Sequence, residues 1–429
     1  MPRSIKASSA NLYMYGADIH PAVGGTNRHI GYSTDGGNTW TNKQFAPTGL
    51  AAGFILSDVF PVSATTLWAV TAPSATSIAQ NGVWKSTDAG TTWTKMTGMF
   101  TNAAGSFADV VYFWDANNGF VAGDAPGANA QFEMYRTTDG ATWTAIPNTP
   151  TAFGTVQPGI EGAYTGMIQV LGDDIWLGTT SGRILHTPDR GTTWDTQVTP
   201  CVDFGGAIVD GAHGSYAFKD ANNGLIIETQ GGITSLWGKV NGGDWEPIDD
   251  SGFTGWYDWR IVYIPGTENT YVTVGENAST GLQGSAYTTD GGLTWTEIPQ
   301  TDPAWAGPYG ENMCFFDGTS GVLGGYSQLL IGGIPTADMF KFNGDLTMAV
   351  KDVAVKSNLQ IYPNPTSDVV KISANNDIRS IAIFDMSGKL VKTFAGAKEI
   401  NVSSLAKGNY VLQVHYVNGG VENTKLIRK

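Results

Sequence analysis

The strongest constraint on this chain is one short turn sequence that returns at a nearly fixed interval. Ser33-Thr34-Asp35-Gly36-Gly37-Asn38-Thr39-Trp40 is followed by Ser86-Thr87-Asp88-Ala89-Gly90-Thr91-Thr92-Trp93. Thr187-Pro188-Asp189-Arg190-Gly191-Thr192-Thr193-Trp194 and Thr288-Thr289-Asp290-Gly291-Gly292-Leu293-Thr294-Trp295 are further copies. Thr137-Thr138-Asp139-Gly140-Ala141-Thr142-Trp143 is a copy one residue short. The Asp side chain accepts hydrogen bonds from backbone amides a few residues on and fixes a tight turn. The Gly supplies a positive φ at no steric cost. The Trp opens the next strand and fills the gap beside its neighbour.

The aspartates fall at 35, 88, 139, 189 and 290, and the last gap spans two periods. Asn241-Gly242-Gly243-Asp244-Trp245 fills it with a worn copy, and Asn343-Gly344-Asp345 falls one period further on. Seven units of about fifty residues, each read as four short strands, predict a seven-bladed all-β propeller over residues 1–350. A second repeat sits earlier in the unit. Phe113-Trp114-Asp115-Ala116-Asn117-Asn118-Gly119-Phe120, Phe218-Lys219-Asp220-Ala221-Asn222-Asn223-Gly224-Leu225 and Phe315-Phe316-Asp317-Gly318-Thr319-Ser320-Gly321-Val322 read as the hairpin between the first two strands.

These repeats resemble the BNR/Asp-box propellers, and the order "Phe-x-Asp-x-x-x-Gly, strand, loop, strand, box" is most similar to the photosystem II assembly factor type. The resemblance implies a fold and no single activity, since the box is a turn device and the fold hosts unrelated functions. The box residues Asp35, Asp88, Asp139, Asp189 and Asp290, with Trp40, Trp93, Trp143, Trp194 and Trp295, are therefore read as structural. Sialidases of this group clamp a carboxylate with three arginines. Here the arginines are Arg3, Arg28, Arg136, Arg183, Arg190 and Arg260 before the tail; Arg190 lies inside a box, while Arg136 and Arg183 lead into boxes. The Arg-Ile-Pro signature is also missing, so the sialidase reading is disfavoured. Xyloglucanase-type relatives pair two propellers around a cleft, which one propeller does not build.

Charge and composition narrow the partners. A net charge of −14 argues against nucleic acid and anionic membrane surfaces. No apolar run is long enough to span a bilayer. Cys201 and Cys314 fall three units apart, and no disulfide between them is expected. No His/Cys spacing fits a zinc site, and no cofactor is implied.

If boxes and first hairpins share one face, the long irregular loops collect on the other, where function usually sits. After the second strand, acids recur at equivalent places: Asp18, Asp124, Glu228 and Glu276. Asp58, Glu161, Asp258 and Glu311 precede first strands and approach the central opening. Aromatics accompany them in the crossovers, notably Phe153, Phe204, Trp256, Tyr257, Trp259, Trp305 and Tyr309. Acids that accept from sugar hydroxyls, beside rings that stack on apolar sugar faces, suit a glycan. Trp256, Tyr257, Trp259, Trp305 and Tyr309 with Asp18, Asp124, Glu228 and Glu276 are the candidate ligand contacts. Asp258 and Glu311 are the candidate catalytic carboxylates. His20, His29 and His213 lie near the same face without a cluster that specifies a metal.

The last seventy residues differ in kind. Before Leu359 the chain holds 15 Lys+Arg against 33 Asp+Glu; from Leu359 on it holds 9 against 5. After a linker at 351–358 come Tyr362-Pro363-Asn364-Pro365, Ser387-Gly388 and Lys407-Gly408-Asn409-Tyr410, punctuating short alternating strands. They read as a small Ig-like β-sandwich over 359–429. Their order resembles the type A C-terminal sorting domain of the Bacteroidetes type IX secretion system. That resemblance implies the secretion machinery as a partner, and a secreted or outer-membrane cell-surface location. Such cargo also needs an N-terminal signal peptide, expected upstream of Met1. The expected function is an exported binding platform for a glycan or a surface protein. A carbohydrate-active hydrolase or lyase and a purely structural surface or adhesin component are the alternatives.

Overall fold

The computed structural model describes residues 2–18, 28–50, 52–74, 78–102, 105–126, 131–147, 161–207, 209–249, 255–277, 282–298, 312–331, 334–347, 359–374, 376–385, 389–417 and 421–429. The chain divides into two units, Met1–Ala349 and Val350–Lys429.

The first unit is a succession of antiparallel meanders. Its first sheet runs Pro2–Ala7, Tyr13–Asp18, Arg28–Ser33, Thr41–Phe45, each strand paired with the next. Among the described residues there are seven such sheets, six of four strands and a last one of three. The leading strands are Pro2–Ala7, Phe54–Pro61, Ala108–Phe113, Ala163–Leu171, His213–Asp220, Arg260–Tyr263 and Asn312–Asp317. Each packs against the next, and Asn312–Asp317 packs back against Pro2–Ala7. The leading strands therefore ring a central axis, and the unit is a β-propeller.

One backbone bond recurs in every sheet and settles which loops share a face. An amide in the box donates to a carbonyl in the turn between the first and second strands. The pairs are Gly36 to Asn11, Ala89 to Thr65, Gly140 to Asn117, Arg190 to Asp173, Gly242 to Asn222, Gly291 to Asn269 and Leu346 to Gly318, at 2.7 to 3.1 Å. Boxes and first hairpins lie together, as the sequence predicts.

The box chemistry is local. Asp88 accepts from the Thr92 amide at 2.8 Å and the Thr92 hydroxyl at 2.6 Å, and Ser86 donates to it at 2.8 Å. Asp35, Asp189 and Asp290 repeat this with Thr39, Thr193 and Thr294. Trp40, Trp93, Trp194 and Trp295 donate Nε1 to the carbonyl of the box glycine at 3.1–3.2 Å. The shortened box is different: Asp139 accepts from the Ala141 and Thr142 amides, and the buried Nε1 of Trp143 has no hydrogen-bond partner among the described residues. Losing one residue carries the ring away from its carbonyl, although it still packs edge-on against Trp68 at 5.7 Å. At Gly90 (φ +79°) a Cβ would also meet Ile30 of the preceding sheet at 2.7 Å.

The first hairpins use glycine for a second reason. Gly119, Gly224 and Gly321 stand opposite Phe113, Phe218 and Phe315 in register. The phenyl ring lies over the glycine, and a Cβ there would sit 2.5–2.8 Å from it. The repeated Phe and Gly are one packing unit.

Buried side chains divide by seam. Seven clusters each join two neighbouring sheets. Phe45 of the first packs with Leu56 and Trp93 of the second, and Trp176 of the fourth stacks on Phe218 of the fifth at 5.0 Å. Val322 of the seventh packs with Tyr13 and Tyr15 of the first. The box tryptophan of a unit fills the seam with the preceding unit. Cys201 and Cys314 are free thiols.

The second unit holds a three-stranded sheet (Gln360–Tyr362, Val369–Ser373, Glu399–Asn401) and a four-stranded one ordered Leu390–Ala395, Ile378–Asp385, Gly408–Tyr416, Val421–Arg428. Val370, Ile372 and Ile400 of one share a core with Ile381, Leu412 and Leu426 of the other. Asn364 explains its place in Tyr362-Pro363-Asn364-Pro365. Its amide donates to the Lys425 carbonyl at 2.7 Å, and its oxygen accepts from the Ile427 amide at 2.8 Å. The flanking prolines cannot donate from their own backbone nitrogens, and the Asn side chain takes over the pairing with the last strand. Tyr410 is buried, with its hydroxyl on the Ala406 carbonyl at 2.9 Å. Gly388 lies outside the described residues.

Candidate functional site

The leading strands enclose a central cavity of ≈ 400 Å³. Its wall is tied across seams by side chains that satisfy the backbone edge facing the axis. The Asp58 carboxylate, on the second sheet, accepts from the Val111 amide of the third at 3.0 Å and from the Ser4 hydroxyl of the first. Gln169 of the fourth sheet both donates to and accepts from the Phe218 backbone of the fifth, at 2.6 and 2.7 Å. Ser215 of the fifth accepts from the Ile261 amide of the sixth at 3.1 Å. Unpaired buried backbone groups are costly, so these bonds hold the cavity to a fixed shape. The fourth leading strand, Ala163–Leu171, is half-buried along its whole length and its register slips between Ala163 and Ile168. That irregularity brings Gly166 and Met167 to the wall.

A group of carboxyls lies behind the wall. Asp58 and Asp109 are each 1% exposed. Burial pushes the Asp58 carboxyl up despite Lys6 at 3.7 Å. Burial also raises Asp109 strongly, reinforced by the charge of Asp124, which is hydrogen-bonded to it. Burial pushes Asp124 itself up to about 6, opposed by the Ala163 amide that donates to it at 2.8 Å. Two carboxyls in contact favour one shared proton. Among the described residues, no group of three His, Cys, Asp or Glu is arranged to hold a metal ion.

The expected loop-face contacts do not form one patch. Trp256 is fully buried and Tyr257 is 5% exposed. This corrects the stacking edge expected from them. The crossover turns Trp256 into the seam between the fifth and sixth sheets. Tyr257 lies over Gly284, and its hydroxyl donates to Glu297 at 2.9 Å. Trp259 is half-buried at the head of the sixth leading strand. Asp258 accepts from the Glu276 amide at 2.8 Å, and burial raises its carboxyl. His213, whose imidazole is pushed down by burial, feels the charges of Asp258 and Arg260. Glu228 accepts from Trp237 Nε1 at 3.3 Å. Asp124 is engaged between the third and fourth sheets, and Glu161 is buried against Arg183 at 2.5 Å. Asp18 ends its strand opposite Arg28. Trp305, Tyr309, Glu311, Phe153 and His20 lie outside the described residues.

Two features escaped the sequence reading. Lys6 and Arg260 both line the central cavity. Neither sits in a motif, and only ring closure brings them together. A second cavity, ≈ 410 Å³ and largely apolar, lies between the sixth and seventh sheets, beside Val274, Phe340 and Phe342. It falls in the seam where the worn Asn343-Gly344-Asp345 box supplies no tryptophan.

Residues 360–429 match the family described as the secretion system C-terminal sorting domain. The chain thus carries a type IX sorting tail behind a propeller, and the tail marks it for secretion to the cell surface or beyond. Similar solved structures include YCF48 from Cyanidioschyzon merolae, at 14% identity over 79% of this chain and 94% of that one, with a TM-score of 0.47. The GH74 enzyme of Niastella koreensis is 15% identical over 99% of this chain and 76% of that one, TM-score 0.47. The GH74 xyloglucanase from Xanthomonas campestris is 11% identical over 100% and 72%, TM-score 0.47. No curated protein matches the sequence. No helix among the described residues is long and apolar enough to cross a membrane.

Proposed function

We propose that this is an exported seven-bladed Asp-box propeller, carried by an Ig-like sorting sandwich at 359–429, that serves as a rigid binding platform for a surface glycan. The observation that carries the reading is the central cavity with its cross-sheet bonds. A pocket of this size held by fixed side chains is preformed, and preformed sites lose little entropy on binding. The seven sheets, the inner ring and the closure of the last sheet on the first support the blade count. The two sheets around one core support the sandwich.

A second reading has one observation in its favour. Burial holds the Asp258 carboxyl above the ordinary carboxylate range, with a smaller push from the charge of Glu276, and a raised carboxyl is what a glycosidase needs for its acid. Affinity electrophoresis through a panel of neutral and acidic polysaccharides tests binding, and release of reducing ends from the retained polymer tests cleavage. Retention without release supports the platform. Release that is lost in Asp258→Asn supports the hydrolase. No retention and no release rejects both, leaving a surface protein as the partner.

A further inference from the structure

We infer that the seam between the sixth and seventh sheets binds a free, uncharged aromatic compound the size of an indole. The inference concerns a different cavity from the central one and stands apart from the platform reading. A box tryptophan packs into each of the other six seams. Trp40 lies between the seventh sheet and the first, Trp93 between the first and second, and Trp143 between the second and third. Trp194, Trp245 and Trp295 do the same at the next three. The seventh box has no such ring to give, since no tryptophan follows Trp305 in the chain. Yet its turn is built like the others. Asp345 accepts from the Thr347 amide at 2.8 Å, and the Leu346 amide donates to the Gly318 carbonyl at 2.7 Å. The turn that elsewhere sends an indole into the seam is kept, and the indole is lost.

The space in that seam is the ≈ 410 Å³ cavity beside Val274, Leu323 and Phe342. An apolar cavity of about 150 Å³ stays dry and accepts benzene, so this one has room for two fused rings. The rings around it are incompletely covered. Among the described residues, each of the other six seams holds at least one buried aromatic side chain, whereas Tyr287, Phe315 and Phe342 here are all half-buried. A flat guest would meet these rings edge-on or offset, as Trp93 meets Phe45 at 4.9 Å in the first seam. The charged residues of the lining, among those described, are Lys341 and Asp345. Lys341 donates to Asn38 at 3.1 Å and Asp345 holds its own turn, so neither calls for a charged guest. A peptide would bring backbone donors and acceptors that a largely apolar wall leaves unmet. A free aromatic compound brings none.

The test is calorimetric titration of the whole chain with indole, with octanol and the tripeptide Gly-Trp-Gly as comparison probes. Indole is expected to bind with a negative heat-capacity change and to raise the melting temperature as its concentration rises. Val274→Phe and Leu323→Phe each add bulk at the cavity wall. Each should weaken indole about tenfold or more while melting as high as the unmodified protein or higher. If both variants melt lower, the bromine position in crystals of the unmodified protein soaked with 5-bromoindole decides instead. Bromine in this seam supports the assignment, and bromine elsewhere alone overturns it. Absence of indole binding, or unchanged affinity in a filled variant that melts normally, overturns it as well. Tighter binding of octanol overturns it in favour of an alkyl chain, and tighter binding of Gly-Trp-Gly in favour of a partner's tryptophan. None of these outcomes bears on polysaccharide retention, which tests the platform separately.

Discussion

The Asp58 carboxylate accepts a hydrogen bond from the Val111 amide at 3.0 Å, across the seam between the second and third sheets. The same group takes the Ser4 hydroxyl and faces Lys6 at 3.7 Å, so one side chain ties three sheets at the axis. Asp58→Ala would leave the Val111 amide and the Ser4 hydroxyl buried without an acceptor. Unsatisfied buried donors cost about 1–3 kcal/mol each, and the variant should be destabilised by at least that much in urea unfolding. Asp58→Asn keeps one acceptor oxygen and should lose less. Equal stability of all three proteins would show that the seams, and not this hub, hold the ring.

The buried carboxyls set a pH dependence whose sign follows from their direction. Asp124 rises from an ordinary 3.8 to about 6 on folding, mainly through burial, and Asp58 and Asp109 rise as well. Between those values the native state holds protons that the unfolded chain has released, so stability falls as pH rises through that window. The exposed box carboxylates act the other way. Hydrogen bonds from Thr39 and Thr92 hold Asp35 and Asp88 down to about 2. Their contribution is present above the ordinary value and is lost as pH falls toward 2. The melting temperature should therefore peak near pH 4 and decline toward neutrality. Asp124→Asn should flatten the decline above pH 4 and leave the acid limb unchanged. A rising melting temperature between pH 4 and 6 in the unmodified protein would contradict this assignment.

Sequence legibility tracked how local each interaction is. The boxes were readable because Asp88 reaches only four residues along, to Thr92. The hairpins were readable because Phe113 covers Gly119 six residues on. Asn364 declared itself through its prolines. The crossover aromatics are less legible, because residue type alone does not say which way a loop turns. Their density in the crossover suggests exposure, but the seam between the fifth and sixth sheets takes Trp256, and Tyr257 folds over Gly284 of its own sheet. Lys6 and Arg260 were invisible for a related reason. They belong to the first and sixth leading strands, and only the ring places them in one wall.

Trp256 separates core from contact directly. It is fully buried with Ile261 and Tyr271 of its own sheet and Leu236 of the fifth. Removing such a ring costs about 3–5 kcal/mol through lost burial and the cavity left behind. Trp256→Ala should melt many degrees lower, and any loss of ligand should follow the unfolded fraction. Weakened saccharide binding at unchanged melting temperature would return it to the binding surface.

The tail offers a test of sorting that spares the fold of the propeller. Asn364 makes two bonds to the last strand, at Lys425 and Ile427, and its neighbour Thr366 adds backbone bonds to Ile427 and Lys429. Together they clamp the C-terminal strand, which pairs on its other edge with Gly408–Tyr416. In Asn364→Ala the Ile427 amide loses its acceptor and the Lys425 carbonyl its donor. The end of the strand should fray, seen as faster amide exchange at Lys425 and Ile427. If the machinery recognises the folded end of this sheet, surface display of an exported precursor should fall while the propeller melts as before. Deleting 360–429 should abolish display altogether and leave the protein in the periplasm. Faster exchange with undiminished display would show that recognition uses another surface of the sandwich. Undiminished display of the deletion would reject the sorting role of the tail.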